Sequence, residues 1–254
     1  MATLTASPIL GRVTTLIRNF FLYGIVTWII FFLVGSILGP LSFLLVITRR
    51  VRIKGWTNIW KAGWKNVVWT ANHPSYLDLW LPLVLLWPCI VIWPFKFAPW
   101  QMPDMRNFKL LLNFRIFRGI AIDRTSGKSF GVIREVHRVL PNNVLLIFPE
   151  TGRTSSDPTS RLSGLPKGVQ MRIPSTGIAK IVSTKPDPTI LPIHIQGTEQ
   201  VLSRGQWLPK FWKGPIRITI GNPYRLEQLS AQSMNKEEKQ AVADEIMTRV
   251  GMLF

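Results

Sequence analysis

The stretch NVVWTANHPSYLDLW, from Asn66 to Trp80, decides the fold of this chain of 254 residues. Its first part, Asn66 to Ala71, is an uncharged run that predicts a buried strand, and a helical pattern follows from Ser75 to Leu86. Pro74 disfavours helical geometry at His73 and suits the first position of a helix. The histidine is therefore expected at a turn between a strand and a helix.

Asp78 stands five residues after this histidine, in an otherwise apolar neighbourhood. In a continuous helix, side chains five residues apart point about 140° away from each other. At a turn, however, His73 can fold back over the helix start and reach the carboxylate. The carboxylate would then hold one imidazole tautomer and leave the other nitrogen as a general base. A plain helix cap explains the same spacing, so both interpretations stay open at this point.

The rest of the chain alternates between apolar runs and helical patterns. The further predicted strands are Cys89 to Phe97, Ile116 to Ile122, Asn143 to Phe148, Thr189 to Ile195 and Ile216 to Ile220. The further predicted helices are Lys128 to Leu140, Ser175 to Ser183 and Asn235 to Met252. This alternation predicts an α/β domain with a mixed, largely parallel sheet flanked by helices.

The N-terminal part of the chain carries no charged residue from Asn19 to Thr48, which is typical of a segment in lipid. As one straight helix this segment would be roughly 45 Å long, against roughly 30 Å for the hydrocarbon core of a bilayer. Gly35, Gly39 and Pro40 interrupt it near the middle. The sequence therefore predicts a membrane-embedded helical hairpin, with a strongly tilted single span as the alternative.

Charge supports a membrane surface as the partner. The formal net charge is +18, and the first 77 residues hold eight lysines and arginines but no acidic residue. Basic residues flank the apolar segment on both sides, which places both of its ends on the cytoplasmic face, of the inner membrane if the source is bacterial. Anionic lipid is the expected partner, because a nucleic-acid binder has no use for the apolar segment. We expect two parts, a membrane-associated segment at 1–55 and an α/β domain at 56–254.

Charged residues gather where predicted strands end. RGIAIDR ends a strand at Arg124, LLIFPETGRTS ends another with Glu150 and Arg153, and ILPIHIQGT, from Ile190 to Thr198, ends a third. In open α/β sheets, ligands bind outside the carboxyl ends of the strands. Two arginines at that edge indicate a phosphate, since the guanidinium group can bind phosphate through two parallel hydrogen bonds.

These segments resemble the four sequence blocks of the glycerolipid acyltransferases, the family typified by 1-acyl-glycerol-3-phosphate acyltransferase. NHPSYLD matches the family's N-H-x-S-x-x-D block, and GIAIDR, FPETGRTS and ILPI resemble its second, third and fourth blocks, in the family's order. The resemblance extends over roughly Trp56 to Asn222. Thr151 and Gly152 are transposed relative to the family's usual third block, and Pro99 stands where many members carry a lysine.

The resemblance implies the transfer of a fatty acyl group to the sn-2 hydroxyl of lysophosphatidic acid, which gives phosphatidic acid. It implies His73 as general base, Asp78 as the residue that orients it, and acyl-CoA or acyl-acyl carrier protein as the acyl donor. It implies no metal, no bound cofactor and no acyl-enzyme. The residues expected to bind the acceptor are Asn72, Ser75, Arg124, Glu150, Gly152, Arg153 and Thr154.

Two other functions stay open on the sequence. The first is acyl transfer to a different lysolipid. The second is a non-catalytic protein that binds anionic membranes, which would need the basic residues and the apolar segment but not the His73 and Asp78 pair. Phosphate-loop chemistry is disfavoured, because Ile122 takes the place of the first glycine before TSGKS. Zinc is disfavoured too, because the chain has one cysteine and three separated histidines.

Overall fold

The computed structural model describes residues 8–102, 118–120, 122, 129–150, 152, 161–183, 186–203, 205–206, 208–226 and 234–254. Side chains are described from residue 24 onward within these ranges, apart from those of residues 129 and 130. Of the predicted strand Ile116 to Ile122, residues 118–120 and 122 are described. They form no strand of their own, and Gly119 pairs with Gln101 in an isolated parallel bridge.

The described elements alternate between strands and helices, as the sequence predicts. The strands are β1 (Val51–Lys54), β2 (Val67–Ala71), β3 (Trp100–Gln101), β4 (Val144–Ile147), β5 (Thr189–Gln196) and β6 (Ile216–Ile220). The α-helices are α1 (Pro8–Ile47), α2 (Thr57–Ala62), α3 (Leu81–Leu86), α4 (Cys89–Ile92), α5 (Pro94–Phe97), α6 (Ser129–Val139), α7 (Gly177–Val182), α8 (Thr198–Val201) and α9 (Lys236–Gly251). Short 3-10 helices cover Tyr76–Trp80, Leu140–Asn142 and Phe211–Lys213.

The described strands form one six-stranded sheet in the order β1-β6-β5-β2-β4-β3. All neighbouring pairs are parallel except β5 and β6, which run antiparallel. The predicted mixed, largely parallel sheet is therefore confirmed. Strand β1 lies within the segment 1–55 that the sequence assigns to the membrane, yet it pairs with β6 at the edge of this sheet.

Helices cover both faces of the sheet because its central strands are apolar on both sides. On β2, Trp69 packs into a cluster with α2, α3 and α4, whereas Val68 packs into a second cluster with α6, α7 and α9. Every residue of β2 is buried. A strand buried on both faces reads as a continuous apolar run, which is why NVVWTA identified it correctly.

The predicted hairpin within Asn19 to Thr48 is wrong in the structure. Helix α1 runs without a break from Pro8 to Ile47 and contains Pro40 in its interior. Its glycines serve close packing instead of a turn: a Cβ on Gly35 would overlap the side chain of Val91, and one on Gly39 would overlap the indole of Trp87. Close packing against α3 and α4 offsets what the proline costs the helix.

The predicted strand Cys89 to Phe97 is also wrong, because this stretch forms the two short helices α4 and α5. Pro94 occupies the first position of α5, where proline loses no hydrogen bond. Both helices pack along α1, and the ring of Phe95 lies 3.8 Å from the Cβ position of Gly24. The partner of the apolar N-terminal helix is thus a second apolar run later in the chain.

The outer surface of this helical layer is apolar. By length and composition, Gly24–Ile47 is long enough and apolar enough to cross a membrane, with a mean hydropathy of 2.5. Its exposed large apolar residues are Ile25, Trp28, Ile29, Phe32, Leu33, Val34, Ile37, Leu41, Phe43, Leu44 and Ile47. Ile92, Trp93 and Phe95 of α4 and α5 extend the same exposed surface.

Gly39 provides a test of how α1 is seated. We expect Gly39→Ala to lower the thermal unfolding midpoint in detergent, because the new methyl group displaces Trp87 and overpacking costs about 1–3 kcal/mol. Gly24→Ala is the matched control on the same helix. There the nearest atom is 3.8 Å away, so alanine gains helix propensity of about 1 kcal/mol without a clash. Equal midpoints for the two variants would contradict the packing described here.

Candidate active site

Three parallel strands bring the sequence blocks to one edge of the sheet. Thr70 of β2 pairs with Ile147 of β4, and Ala71 of β2 pairs with Ile193 of β5. The carboxyl ends of β2 and β4 are therefore level, and β5 continues beyond them to Gln196. The first block leaves β2, the third leaves β4 and the fourth lies on β5, so the expected meeting of these segments at one edge is confirmed for them.

His73 and Asp78 meet at the turn that leaves β2. Nδ1 of His73 lies 3.0 Å from Oδ2 of Asp78, and the side chain of the histidine is 17% exposed while that of the aspartate is buried. The turn folds the imidazole back over the helix start, as the position of Pro74 predicts. Among the described residues, the other ring nitrogen, Nε2, has no hydrogen-bond partner.

The same carboxylate also caps the helix. The main-chain N–H of Ser75 donates to Oδ2 of Asp78 at 2.8 Å, and the Ser75 side chain accepts from the N–H of Leu77 at 3.4 Å. This capping box starts the 3-10 helix Tyr76–Trp80. The two interpretations that the spacing leaves open therefore coexist, because one oxygen serves as both the cap and the imidazole partner.

Burial raises the pKa of Asp78 above its ordinary value of 3.8, while hydrogen bonds and charge from His73 and the N–H of Ser75 act in the opposite direction. Leu77, Trp80 and Ile195 line a small apolar cavity beside the carboxyl group and supply little solvation. An ionised carboxylate only accepts hydrogen bonds, so the shared proton lies on Nδ1 when Asp78 is charged. Nε2 is then the basic nitrogen of the ring.

Glu150 ties the third block to this turn. Its Oε1 accepts the main-chain N–H of His73 at 3.0 Å, and its Oε2 accepts the main-chain N–H of Arg172 at 3.1 Å. The residue is 1% exposed. The Glu150 carboxylate therefore fixes the backbone of His73. The sequence alone does not predict this contact.

Asn72 and Ser75 also make hydrogen bonds to the main chain. The Asn72 amide donates to the carbonyl of Ile195 at 2.8 Å and accepts from the N–H of the same residue at 2.7 Å. The Ser75 hydroxyl donates to the carbonyl of Leu202 at 2.9 Å. Both side chains thereby hold the first block against the end of β5 and the segment after α8.

Phe148 and the backbone of Arg172 are contributors that the sequence reasoning missed. The ring of Phe148 lies 4.7 Å from the imidazole of His73, centroid to centroid, and limits the rotation of that ring. Phe148 is the first residue of FPETGRTS and is therefore visible in the sequence. Its contact with the His73 ring, however, depends on the register between β2 and β4. Arg172 contributes through its N–H, so its side chain gives no sequence signal.

The main-chain N–H groups nearest the histidine are already engaged. Those of His73, Ser75 and Leu77 donate to Glu150, Asp78 and the Ser75 hydroxyl. None of these three is therefore free to bind an oxyanion.

The phosphate-binding prediction falls mostly outside the described residues. Arg124, Arg153 and Thr154 lie outside them, and Gly152 is described as a half-buried bend after Glu150. Arg118 of the second block has a structural contact instead: its guanidinium donates to the side-chain oxygen of Asn143 at 2.6 Å. It also lies over the ring of Trp100, 5.0 Å from the centroid.

Comparison with known proteins yields a structural likeness without a sequence match. No family model and no curated protein sequence matches the chain. Among solved structures, the 1-acyl-sn-glycerophosphate (LPA) acyltransferase PlsC from Thermotoga maritima aligns with 92% of this chain and 94% of its own, at 20% identity and a TM-score of 0.51. The chain has the fold of a glycerolipid acyltransferase.

Proposed function

We propose that the chain is a membrane-bound acyltransferase that moves a fatty acyl group from acyl-CoA or acyl-acyl carrier protein to the sn-2 hydroxyl of lysophosphatidic acid. The product is phosphatidic acid. The observation that carries the proposal is the contact of 3.0 Å between the His73 imidazole and the buried Asp78, at the carboxyl edge of the sheet. Ligands of open α/β sheets bind at this edge.

In the proposed reaction, Nε2 of His73 accepts the proton of the acceptor hydroxyl while its oxygen attacks the thioester carbonyl carbon. Asp78 holds the proton on Nδ1 and stabilises the imidazolium that forms. The tetrahedral intermediate then collapses, the C–S bond breaks, and the imidazolium returns the proton to the departing thiolate. The histidine ends the cycle unchanged, and the ester and the free thiol are the products.

The other site residues divide into positioning and binding roles. Glu150 and Asn72 fix the backbone around the histidine, and Ser75 caps the helix that presents Asp78. We propose that Glu150, Asn72 and Ser75 also contact the acceptor. We assign the acceptor phosphate to Arg124 and Arg153, because planar guanidinium groups bind phosphate through two hydrogen bonds. Gly152 and Thr154 would bind the acceptor beside them.

Membrane attachment follows from the apolar surface of α1, α4 and α5. Directly after α1, the exposed Arg49, Arg50, Arg52 and Lys54 provide positive charge, and each such residue near an anionic bilayer contributes about 1 kcal/mol of attraction. We place this end of α1 on the cytoplasmic face. A lysolipid with one acyl chain would then reach the site from the membrane itself.

The proposal is tested with purified protein, labelled acyl-CoA or acyl-acyl carrier protein, and a panel of lysolipids, with the products identified by mass. Lysophosphatidic acid is the expected acceptor. Preferential acylation of another lysolipid would keep the chemistry and change the acceptor. Absence of transfer from both donors to every acceptor would favour the non-catalytic membrane-binding function.

His73→Ala should reduce acyl transfer by about 10²- to 10⁴-fold, because it removes the general base. Membrane association should stay unchanged, since α1, α4 and α5 are untouched. The matched control is His137→Ala, which removes an exposed histidine on α6 and should keep full activity. Near-normal turnover of His73→Ala would refute the mechanism.

Asp78→Asn should separate stability from activity. Asparagine keeps an oxygen for the two hydrogen bonds but lacks the charge that stabilises the imidazolium, so kcat should fall by about 10²- to 10⁴-fold. The pKa of Asp78 is higher in the folded protein than in the unfolded chain, so the unfolded chain releases the carboxyl proton at a lower pH. The free energy of unfolding therefore falls as the pH rises above 3.8.

Asp78→Asn should therefore unfold at the same temperature as the original protein or a higher one at pH 8, and this advantage should shrink toward pH 4.5. Ser75→Ala is the control for the sensitivity of the assay, because loss of a cap costs about 0.5–2 kcal/mol. A variant that unfolds at a lower temperature than the original at pH 8 would contradict the burial cost.

Arg153→Ala should raise the KM for the acceptor by about 10- to 100-fold at saturating acyl donor, since a hydrogen bond to a charged group contributes about 1.5–3 kcal/mol. Arg153→Lys should recover part of the loss, because lysine keeps the charge but not the paired geometry. Arg134→Ala, on the exposed side of α6, is the control. A defect confined to the KM for the donor would remove Arg153 from the phosphate site.

A further inference from the structure

A second cavity lies behind the catalytic turn. It has a volume of about 220 Å³ and is lined by Asn72, Pro74, Gln170, His194, Gln196 and Glu199 among others. Side chains alternate along β5, so His194 shares a face with Ile190, which packs against the α9 side of the sheet. The cavity is therefore distinct from the apolar space beside Asp78.

His194 is the unusual group in this cavity. The residue is 6% exposed, and its ring meets the ring of Phe254 edge-on at 5.8 Å between centroids. Among the described residues its imidazole has no hydrogen-bond partner. A ligand that both donates and accepts hydrogen bonds would match both ring nitrogens.

The imidazole is neutral at physiological pH, because burial lowers the pKa of His194 to about 4. The Asn72 amide in the cavity wall is already hydrogen-bonded to the main chain of Ile195. The remaining polar side chains around the cavity are the amides of Gln170 and Gln196 and the carboxylate of Glu199, and no lysine or arginine is among its described lining residues. An anionic headgroup therefore finds no counter-charge here. A bare acyl chain would leave the imidazole and both amides without partners.

The lining favours an uncharged chain that carries amide groups. Amides offer a donor and an acceptor at each step, which matches a neutral imidazole and two glutamine side chains. The walls of the cavity include Asn72 and Pro74, the residues directly before and after His73. The cavity therefore borders the turn that carries the catalytic histidine.

We propose that this cavity binds the pantetheine arm of the acyl donor, with His194, Gln170 and Gln196 hydrogen-bonding to its amides. The inference rests on the proposed acyl transfer. Pantetheine is uncharged, contains two amides and ends in the sulfur that carries the acyl group. Coenzyme A and acyl carrier protein present the same arm, so the cavity serves either donor.

The test compares acyl donors with full and shortened arms. Full-length protein in detergent is assayed with S-acyl pantetheine and with the S-acyl N-acetylcysteamine of the same chain length, which keeps one amide. Binding of the thioether analogue of S-acyl pantetheine is measured by calorimetry, which needs no turnover. Acyl-CoA and acyl-acyl carrier protein are assayed in parallel arms to distinguish the two sources.

His194→Phe should weaken thioether binding by about 2- to 10-fold per hydrogen bond lost, and should reduce the preference for the full arm over the short one. His194→Gln should lose less, because its amide can still form hydrogen bonds. Gln170 is exposed, so Gln170→Ala leaves the fold unstrained and should weaken binding by a few fold. Gln200→Ala, an exposed glutamine outside the cavity, is the matched control.

Unchanged thioether binding and unchanged arm preference in His194→Phe and Gln170→Ala would overturn the inference while leaving acyl transfer intact. A change in the KM for the acceptor with none in the KM for the donor would overturn it too, since the cavity would then bind the acceptor. A wild-type protein that binds the thioether through these residues but transfers no acyl group would refute the proposed function and not the cavity.

Discussion

One oxygen of Asp78 holds the site together. It accepts a hydrogen bond from the His73 imidazole and another from the main chain of Ser75, so the orientation of the imidazole and the start of the helix depend on the same atom. The histidine backbone is fixed from the other side by Glu150. Two buried carboxylates therefore define the turn, one through a side chain and the other through the main chain.

Such an arrangement costs stability. A carboxylate without solvent is unfavourable unless it is hydrogen-bonded, and burial raises the pKa of Asp78 despite its two partners. A chain selected for stability alone would place a neutral cap at this helix start. An amide side chain would suffice as a cap at this position. The presence of Asp78 instead fits a function in which a positive charge forms on the neighbouring His73 and disappears again.

Much of this fold follows from short-range pattern. Val67–Ala71, a strand buried on both faces, appears as a short apolar run, and Ile216–Ile220 appears as an alternation of buried apolar and more exposed residues. The capped helix Lys236–Gly251 follows Asn235 with Glu238 at the position of a capping box. Periodicity and capping are local properties, so the sequence alone predicts them. The order of the strands in the sheet was not predicted, because pairing depends on long-range contacts.

The same limit explains both errors near the membrane segment. Gly35, Gly39 and Pro40 resemble a break when the segment is considered alone, because the partner that fills the space beside the glycines is encoded more than forty residues later in the chain. The run Cys89 to Phe97 resembles a strand for the same reason. Its short helices are stable against α1, and an isolated four-residue helix would not be.

In the site, sequence blocks identify residue types but not their contacts. His73 and Asp78 were predicted as a pair, because a turn after a strand brings them close. Glu150 was expected to bind the acceptor, yet both of its carboxylate oxygens accept main-chain hydrogen bonds. This contact requires the level ends of β2 and β4, which follow from register and not from spacing along the chain.

The position of the turn brings the polar edge of the sheet close to the apolar helical layer. The chain leaves β2 at His73, forms the 3-10 helix Tyr76–Trp80, and continues directly into α3, which packs along α1. The polar edge of the sheet and the apolar helical layer thus meet within a dozen residues. The proposed acceptor, a lipid whose reactive hydroxyl lies between a charged phosphate and an acyl chain, would need both environments at that distance, and the turn joins them.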